Sequence, residues 1–124
     1  MKLIRYLDSL ENEKLGVIVD GEMVLDVAGY ATKKGITDDY SSIQSVLNRE
    51  NGLEQLKKIV LNSDGDKSEF TLKLSRVCIL APISRNNKIL CVALNYRDMC
   101  ERGNLPIPQT LKVFNKYSTT VTNP

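Results

Sequence analysis

The 124-residue sequence contains no histidine and no tryptophan, and aromatic residues make up only 6% of it. Without histidine, the chain has no Ser-His or Cys-His nucleophile pair, no imidazole zinc ligand and no imidazole base near neutral pH. Any acid–base chemistry would fall to carboxylates, lysine or tyrosine. Long apolar runs are also missing, since none approaches the ~20 residues that cross a bilayer. The opening segment contains Asp8 and no long apolar core, which predicts neither a secretory signal nor a transit peptide.

Cysteine is scarce and charge is nearly balanced. Cys78, Cys91 and Cys100 give an odd count without Cys-x-x-Cys spacing, which favours free thiols in a reducing compartment. We therefore expect a cytoplasmic or mitochondrial protein that is not secreted. The 17 basic and 15 acidic residues leave a net charge of +2, which is too small and too scattered to predict binding to nucleic acid. No segment predicts a membrane partner.

The first part of the chain predicts a β-hairpin beside a further strand. Lys2–Leu7 and residues 15–19 and 23–27 have the composition of strands. Asp20-Gly21 lies between the last two, and this dipeptide accepts the positive φ angles of a two-residue hairpin turn. A hairpin is therefore expected over residues 15–27.

Two capped helices are predicted after the hairpin. Residues 29–40 show little periodicity and indicate a loop or a short helical turn. Ser41 with Gln44 then forms a capping box at the start of one helix, and Asn51 with Glu54 repeats it for the next.

A long apolar strand follows the helical region. Residues 70–74 and 77–80 predict two shorter strands, and a polar turn at residues 84–88 marks the domain boundary. Residues 89–94 are apolar and uncharged, which suits a strand buried on both faces. The roughly forty residues after the boundary are too few to cover both faces, so we expect exposed apolar side chains that favour pairing with another chain. Polar residues follow at once, and a rigid strand that ends in polar groups is a common place for a binding site.

A recognisable pattern of residues begins with this strand. Its members are Lys88, Ile89, Cys91, Val92, Leu94, Asn95, Tyr96, Asp98, Leu105, Pro106, Pro108, Phe114 and Lys116. Their order and spacing resemble the fumarylacetoacetate hydrolase (FAH) family, whose members read Lys-Ile-aliphatic-Cys-Val-Gly-Leu-Asn-Tyr-x-Asp-His, then Leu-Pro-x-Pro and Phe-x-Lys. Residues 80–82 fit the family's lead-in to the strand, and residues 1–6 fit its usual opening. The resemblance is greatest to the FAH domain-containing proteins, because Cys100 and Asn104 also agree.

The resemblance implies an α+β fold in two domains. Residues 1–83 would form the small N-terminal domain, an α/β unit with a β-hairpin and two helices. Residues 84–124 would form the truncated opening of the mixed, mostly β catalytic domain. Complete relatives use Mg or Mn to cleave, decarboxylate or tautomerise small 2-oxo and 1,3-dicarbonyl acids such as oxaloacetate, and their catalytic domain mediates dimers. The metal holds the oxygens of the substrate and stabilises its enolate.

Two substitutions fall at the catalytic positions of the family. Met99 replaces the His of a His-x-x-Glu pair and Arg102 replaces the Glu, so neither position can exchange a proton near neutral pH. The metal-ligating carboxylates of the family lie downstream of Pro124, while Glu11 and Glu13 predict a solvated turn. We therefore expect no catalytic residue, no metal ligand and no cofactor in this chain.

Three residues are candidates for substrate binding by the same resemblance. Asn95 and Tyr96 lie along the family's pocket, and Lys116 of Phe-x-Lys would meet a substrate carboxylate. Structural roles stay open: Asn95 as a helix cap, Tyr96 packed on the strand and Lys116 as a solvated lysine at a strand edge. Asp98 predicts an exposed carboxylate in the first turn of a helix.

Two functional hypotheses follow, and they leave open whether the chain is an enzyme. In the first, the chain is the front portion of an FAH-family hydrolase-like protein and is inactive on its own, as a pseudoenzyme is. In the second, it is a non-catalytic binding module that pairs with a full-length relative or with itself. A third reading is a fragment with no separate function.

Overall fold

The computed structural model of the chain describes residues 1–63, 67–83 and 88–124, without the side chains of Lys67 and Ser68. Helices and antiparallel strands are mixed along it, so the fold class is α+β, as predicted. Contacts divide the chain into two compact units, Met1–Ser84 with Thr122–Pro124, and Arg85–Val121. The polar turn predicted at the boundary lies outside the described residues except for Lys88. The assignment of the two parts to the two FAH-family domains stays a prediction.

The first unit contains a five-stranded antiparallel sheet with the strand order β4-β3-β2-β1-β5. Its elements are β1 (Lys2–Leu7), β2 (Glu13–Val19), β3 (Met23–Asp26), α1 (Val27–Lys33), α2 (Ile43–Leu47), α3 (Gly52–Asn62), α4 (Lys67–Phe70), β4 (Thr71–Lys73), a 3-10 turn (Leu74–Arg76) and β5 (Cys78–Leu80). The strand predicted over residues 70–74 is therefore wrong at both ends, where helical residues stand.

The predicted hairpin of β2 and β3 is present. Asp20 and Gly21 have φ angles of 52° and 79°, but pairing resumes at Val19 with Met23, so the turn holds residues 20–22 rather than two residues. The strand predicted to reach Val27 ends one residue earlier.

Asp26 ends β3 because its side chain caps α1. Its Oδ1 accepts the N–H of Gly29 at 3.0 Å. This cap satisfies an otherwise unpaired donor in the first turn. A seven-residue helix therefore begins at Val27, so the first part of residues 29–40 follows the helical alternative of the prediction rather than the loop.

The two predicted helices are confirmed as α2 and α3, but their predicted caps are wrong. The cap of α2 lies one residue after Ser41: Ser42 Oγ accepts the N–H of Ser45 at 3.0 Å, and Ser45 Oγ accepts the N–H of Ser42 at 3.3 Å. Asn51 does precede α3, yet its φ is 57° and its side chain makes no capping bond. The capping box predicted with Glu54 is therefore wrong.

The main core lies between one face of the sheet and α1 to α3. Its fully buried side chains come from both layers, with Leu15 and Leu25 on the strands and Val46 and Leu56 on the helices. Burying a leucine contributes about 1.5–3 kcal/mol, so these contacts hold the first unit together.

Another, smaller cluster surrounds Tyr6 and includes Ile4 and Val24. It depends on Gly16 in β2, where a Cβ would lie 2.5 Å from Val24 Cγ1 and 3.0 Å from Tyr6 Cε1. The tyrosine ring can lie across this strand only because glycine leaves the space open.

The second unit has β6 (Ile89–Val92), α5 (Arg97–Arg102), β7 (Val113–Lys116) and a 3-10 turn (Ser118–Thr120). β6 and β7 form an antiparallel pair in which Ile89 faces Lys116. The composition of β6 is that of a strand buried on both faces, but Leu90 is 67% exposed and Val92 is 43% exposed, as expected where few residues are available to cover it. Apolar composition predicted a strand, but the described residues bring only one partner strand to it.

Within the described ranges, each helix is too short or too polar to cross a bilayer. After the second unit the chain rejoins the first, where Asn123 Oδ1 accepts the N–H of Ala81 at 2.8 Å.

Candidate functional site

A sharp reversal of the backbone connects β6 to α5. Leu94 has a φ of 50°, which is uncommon for a residue with a large side chain. Cys100 is fully buried, and its thiol donates to the carbonyl oxygen of Leu94 at 3.9 Å, so the helix is attached to the turn. Residues 95–98 therefore stand at the tip of a defined strand–turn–helix segment.

The structure places the three candidate binding residues differently. Asn95 is exposed and helps to line a cavity of about 260 Å³, whose other described lining residues include 107–112. Tyr96 is 68% exposed, so the alternative in which it packs on the strand is wrong. Tyr96 occupies the N-cap position of α5 without a capping bond from its side chain, so Asn95 is not the cap. Lys116 is exposed in β7 and, like Tyr96, is not among the described residues that line this cavity.

Met99 and Arg102, the residues predicted to stand at the catalytic positions of the family, lie on α5. Met99 is 52% exposed. Arg102 Nη2 donates to Asp98 Oδ2 at 2.8 Å, and Arg102 Nε donates to the Asp98 carbonyl oxygen at 3.3 Å. Asp98 is exposed in the first turn, as predicted. This pair spans one helical turn, so Arg102 stabilises α5 and has no lone pair with which to accept a proton.

Carboxylates are not gathered into a metal site in the part of the chain that the structure describes, where no three His, Cys, Asp or Glu side chains come together. Glu11 lies in an exposed turn with a φ of 60°. Glu13 begins β2 and lies 3.8 Å from Arg5 Nε. Mg and Mn prefer several oxygen ligands around one point. The donors among the described residues therefore do not fit the Mg or Mn that the family resemblance implies for complete relatives.

All three cysteines are free thiols, as the sequence predicts. Cys78 is exposed, Cys91 is half-buried and Cys100 is buried.

One charged network was not predicted from the sequence. Lys14 Nζ donates to Asp26 Oδ2 at 2.8 Å and lies 3.8 Å from Asp8 Oδ2. The hydrogen bond to Asp26 raises the pKa of Lys14. Hydrogen bonds from backbone N–H groups, that of Asn12 above all, lower the pKa of Asp8. The network ties β2 to the start of α1, and the capping role of an aspartate before Val27 was the signal that could have found it.

Comparison with known proteins identifies relatives of this chain, although no family model matches it. The mitochondrial oxaloacetate tautomerase fahd2 of Xenopus laevis is 36% identical over 59 residues, which cover 48% of this chain and 18% of the relative. The mitochondrial oxaloacetate tautomerase FAHD2A of Homo sapiens is 38% identical over 53 residues, which cover 43% of this chain and 17% of the relative. The fumarylacetoacetate hydrolase domain-containing protein 2 homolog of Dictyostelium discoideum is 24% identical over an alignment that covers all of this chain. The chain is related to the FAH domain-containing proteins.

This relationship confirms the predicted resemblance to the FAH family. The chain spans 38% of the length of the Dictyostelium relative. The sequence and its relatives therefore point to an FAH-family hydrolase-like protein. The strand–turn–helix segment contains Met99 and Arg102, which differ from the family pattern.

Proposed function

We propose that this chain is the front portion of an FAH-family protein and that it has no catalytic activity of its own. In this proposal residues 1–83 are the small N-terminal domain and residues 84–124 open the catalytic domain. The observation that supports it is the chemistry of α5, which contains Met99 and Arg102, the residues that the FAH-family resemblance aligns with the acid–base pair. We assign the protein to the cytoplasm or the mitochondrion, since several relatives are mitochondrial by name.

Proton transfer is the first activity that α5 lacks. A thioether has no transferable proton, and a guanidinium stays protonated because its pKa is above ~12. Arg102 Nη2 lies 2.8 Å from Asp98 Oδ2, and both side chains are exposed on the helix. Glu101 is one position too early, and one step along a helix turns a side chain by about 100°. A positioned acid or base contributes roughly 10² to 10⁴ in rate.

The divalent metal of complete relatives is the second requirement. When bound, it polarises the oxygens of the substrate and stabilises an enolate. The described residues offer no cluster of three ligating side chains. Asn95, Tyr96 and Lys116 are left as contacts for a small 2-oxo or dicarbonyl acid, which they would hold without converting it.

Turnover measurements test this proposal directly. We expect no consumption or tautomerisation of oxaloacetate with Mg or Mn, either for the natural sequence or for Met99→His with Arg102→Glu. The double substitution rebuilds the acid–base pair but does not supply the carboxylates that hold the metal in complete relatives. The human oxaloacetate tautomerase FAHD2A, assayed alongside, shows that the conditions detect activity. Metal-dependent turnover by either form of this chain would overturn the proposal.

The second candidate function is a binding module that pairs with a full-length relative. Leu90, Val92 and Val113 favour it, because cross-strand pairing places them on one face of β6 and β7 and each is at least 43% exposed. Exposed apolar side chains on one sheet face are typical of a surface that another chain covers. Co-expression with a tagged full-length relative tests it: recovery of a complex at a fixed ratio supports the module, and separate elution of the two chains contradicts it.

A further inference from the structure

The cavity beside Asn95 is built by two segments of the second unit. Residues 92–95 form one side and residues 107–112 form the other. The two segments are joined by a hydrogen bond from the Ala93 N–H to the Lys112 carbonyl oxygen at 2.8 Å. Leu94 holds its left-handed backbone within this wall. Such strain is often found where a binding site needs a fixed geometry.

Residues with hydrogen-bonding side chains are among those that line this cavity. They are Asn95 and Gln109 with amides, Thr110 with a hydroxyl and Lys112 with an ammonium. Lys112 is the one charged side chain among them. It forms no ion pair with any residue that the structure describes. A free cation beside neutral donors favours a small anion.

The charge of the surrounding segment has the same sign. Residues 88–121 contain five Lys or Arg residues and two Asp or Glu residues, a net charge of +3 against +2 for the whole chain. Asp98 is paired with Arg102 on α5, which leaves Glu101 as the remaining carboxylate of this segment. Attraction between a cationic surface and an anion raises the local concentration of that anion.

We propose that this cavity binds the carboxylate of a small 2-oxo acid, with Lys112 as the charged contact and Asn95, Gln109 and Thr110 as hydrogen-bonding groups. The inference rests on the proposed function for its ligand class, and it adds Gln109, Thr110 and Lys112 to Asn95, the one predicted contact that lines this cavity. Neither Tyr96 nor Lys116 is required for it. A volume of about 260 Å³ suits a small metabolite, since drug-sized ligands occupy ~300–1,000 Å³.

Oxalate, a stable dicarboxylate, serves as the probe. Calorimetric titration of the full chain at low ionic strength should show binding that weakens as salt rises. Lys112→Gln should weaken it about tenfold, the effect of losing one charge-assisted contact. Asn95→Asp, which places a carboxylate at the cavity, should abolish it. Lys88→Gln is the matched control, because Lys88 is an exposed lysine of the same segment that does not line the cavity, and it should change the affinity less than twofold.

Hydrogen exchange locates the bound oxalate. Protection confined to residues 92–95 and 107–112 supports the proposal. Protection around Tyr96 and Lys116 alone would show that oxalate does not bind in the cavity. That outcome would still agree with the substrate contacts of the proposed function. Equal losses in Lys112→Gln and Lys88→Gln, binding of sulfate as tight as oxalate, or no oxalate binding would each overturn the cavity proposal. The turnover assay judges the inactivity of the chain independently of all these outcomes.

Discussion

Two buried tyrosines of the first unit differ by one hydrogen bond. The Tyr30 hydroxyl donates to the carbonyl oxygen of Asn62 at 3.0 Å. The Tyr6 hydroxyl is fully buried and has no partner among the described residues. Burial, helped by the charge of Asp26, raises the pKa of Tyr6 and keeps its phenol neutral. An unpaired buried hydroxyl costs about 1–3 kcal/mol, so the two rings should respond oppositely to loss of the oxygen.

We expect Tyr6→Phe to raise the free energy of unfolding by about 1 kcal/mol, because it removes a desolvated group that has no bond to lose. Tyr30→Phe should lower it by about 1 kcal/mol, because it breaks a bond and leaves the Asn62 oxygen unpaired. Urea unfolding of the two variants measures both values. A loss of stability in Tyr6→Phe would show that its hydroxyl is hydrogen-bonded.

Asp8 should make the fold sensitive to acid. Its carboxylate accepts N–H groups from Asn12 at 2.9 Å and Leu10 at 2.8 Å, which lower its pKa in the folded chain. The unfolded pKa is about 3.9. A carboxyl whose pKa is lower in the folded state contributes stability above the unfolded pKa, and that contribution is lost as pH falls through the folded pKa.

Asp8→Asn should therefore flatten the decline of stability below about pH 4, since the amide keeps an acceptor and no longer titrates. Thermal unfolding between about pH 2.5 and pH 6 measures the slope. Glu50→Gln, at an exposed position between α2 and α3, is the control and should keep the slope of the natural sequence. An unchanged slope in Asp8→Asn contradicts the assignment.

Single residues of the site were predictable only where their chemistry is independent of the fold. A methionine cannot transfer a proton in any structure, so the absence of proton transfer at Met99 follows from the sequence. The cavity beside Asn95 could not be predicted in this way, because it forms only when residues 107–112 return to the end of β6. The left-handed backbone conformation of Leu94 was not predictable either, since a leucine seldom adopts it.

Among the elements of the first unit, caps were harder to predict than helices. Ser41 and Ser42 are adjacent and both can cap a helix, and the sequence pattern selected the wrong one. Ser42 caps α2, while the Ser41 N–H donates to Asp39 Oδ1 at 2.8 Å in an exposed turn. The capping role of Asp26 was not predicted, because this residue also ends a strand and the sequence pattern assigned it to that strand.

Substitution separates the two serines. Ser42→Ala should lower the free energy of unfolding by about 1 kcal/mol, because it leaves an N–H of the first turn of α2 without its acceptor. Ser41→Ala should cost no more than about half of that, as exposed substitutions away from caps do. Chemical denaturation of both variants provides the measurement. A larger loss of stability in Ser41→Ala than in Ser42→Ala would show that Ser41 caps α2, as the sequence predicted.

Strand β6 shows a second limit of sequence patterns at the element scale. Six apolar residues predict a strand, and Ile89–Val92 is one. Burial on both faces also requires neighbouring elements, and local composition carries no information on whether these are present. The exposure of Leu90 and Val92 was therefore predicted from the number of residues available to cover the strand, and composition alone would have predicted their burial.

At the scale of the whole molecule, the two units differ in how much apolar surface they bury. The first has a continuous core of strand and helix residues, whereas Cys100 is the one fully buried side chain among residues 88–121. Leu90, Val92 and Val113 form the apolar face of β6 and β7, with exposed fractions of 67%, 43% and 50%. Apolar side chains gathered on a strand pair with unpaired outer edges favour association with other chains.

We therefore expect this chain to self-associate in solution at tens of micromolar, and Leu90→Lys to reduce that association. Charge on an exposed strand opposes edge pairing and makes the apolar face costly to cover. Leu61→Lys is the matched control, because Leu61 is 71% exposed on α3 of the first unit and the chemical change is the same. Light scattering reports the mass of each form. A lower mass in Leu90→Lys alone would place the contact on the apolar face of β6 and β7. A stable monomer of the natural sequence, or an equal reduction of mass in both variants, would show that this face does not mediate association.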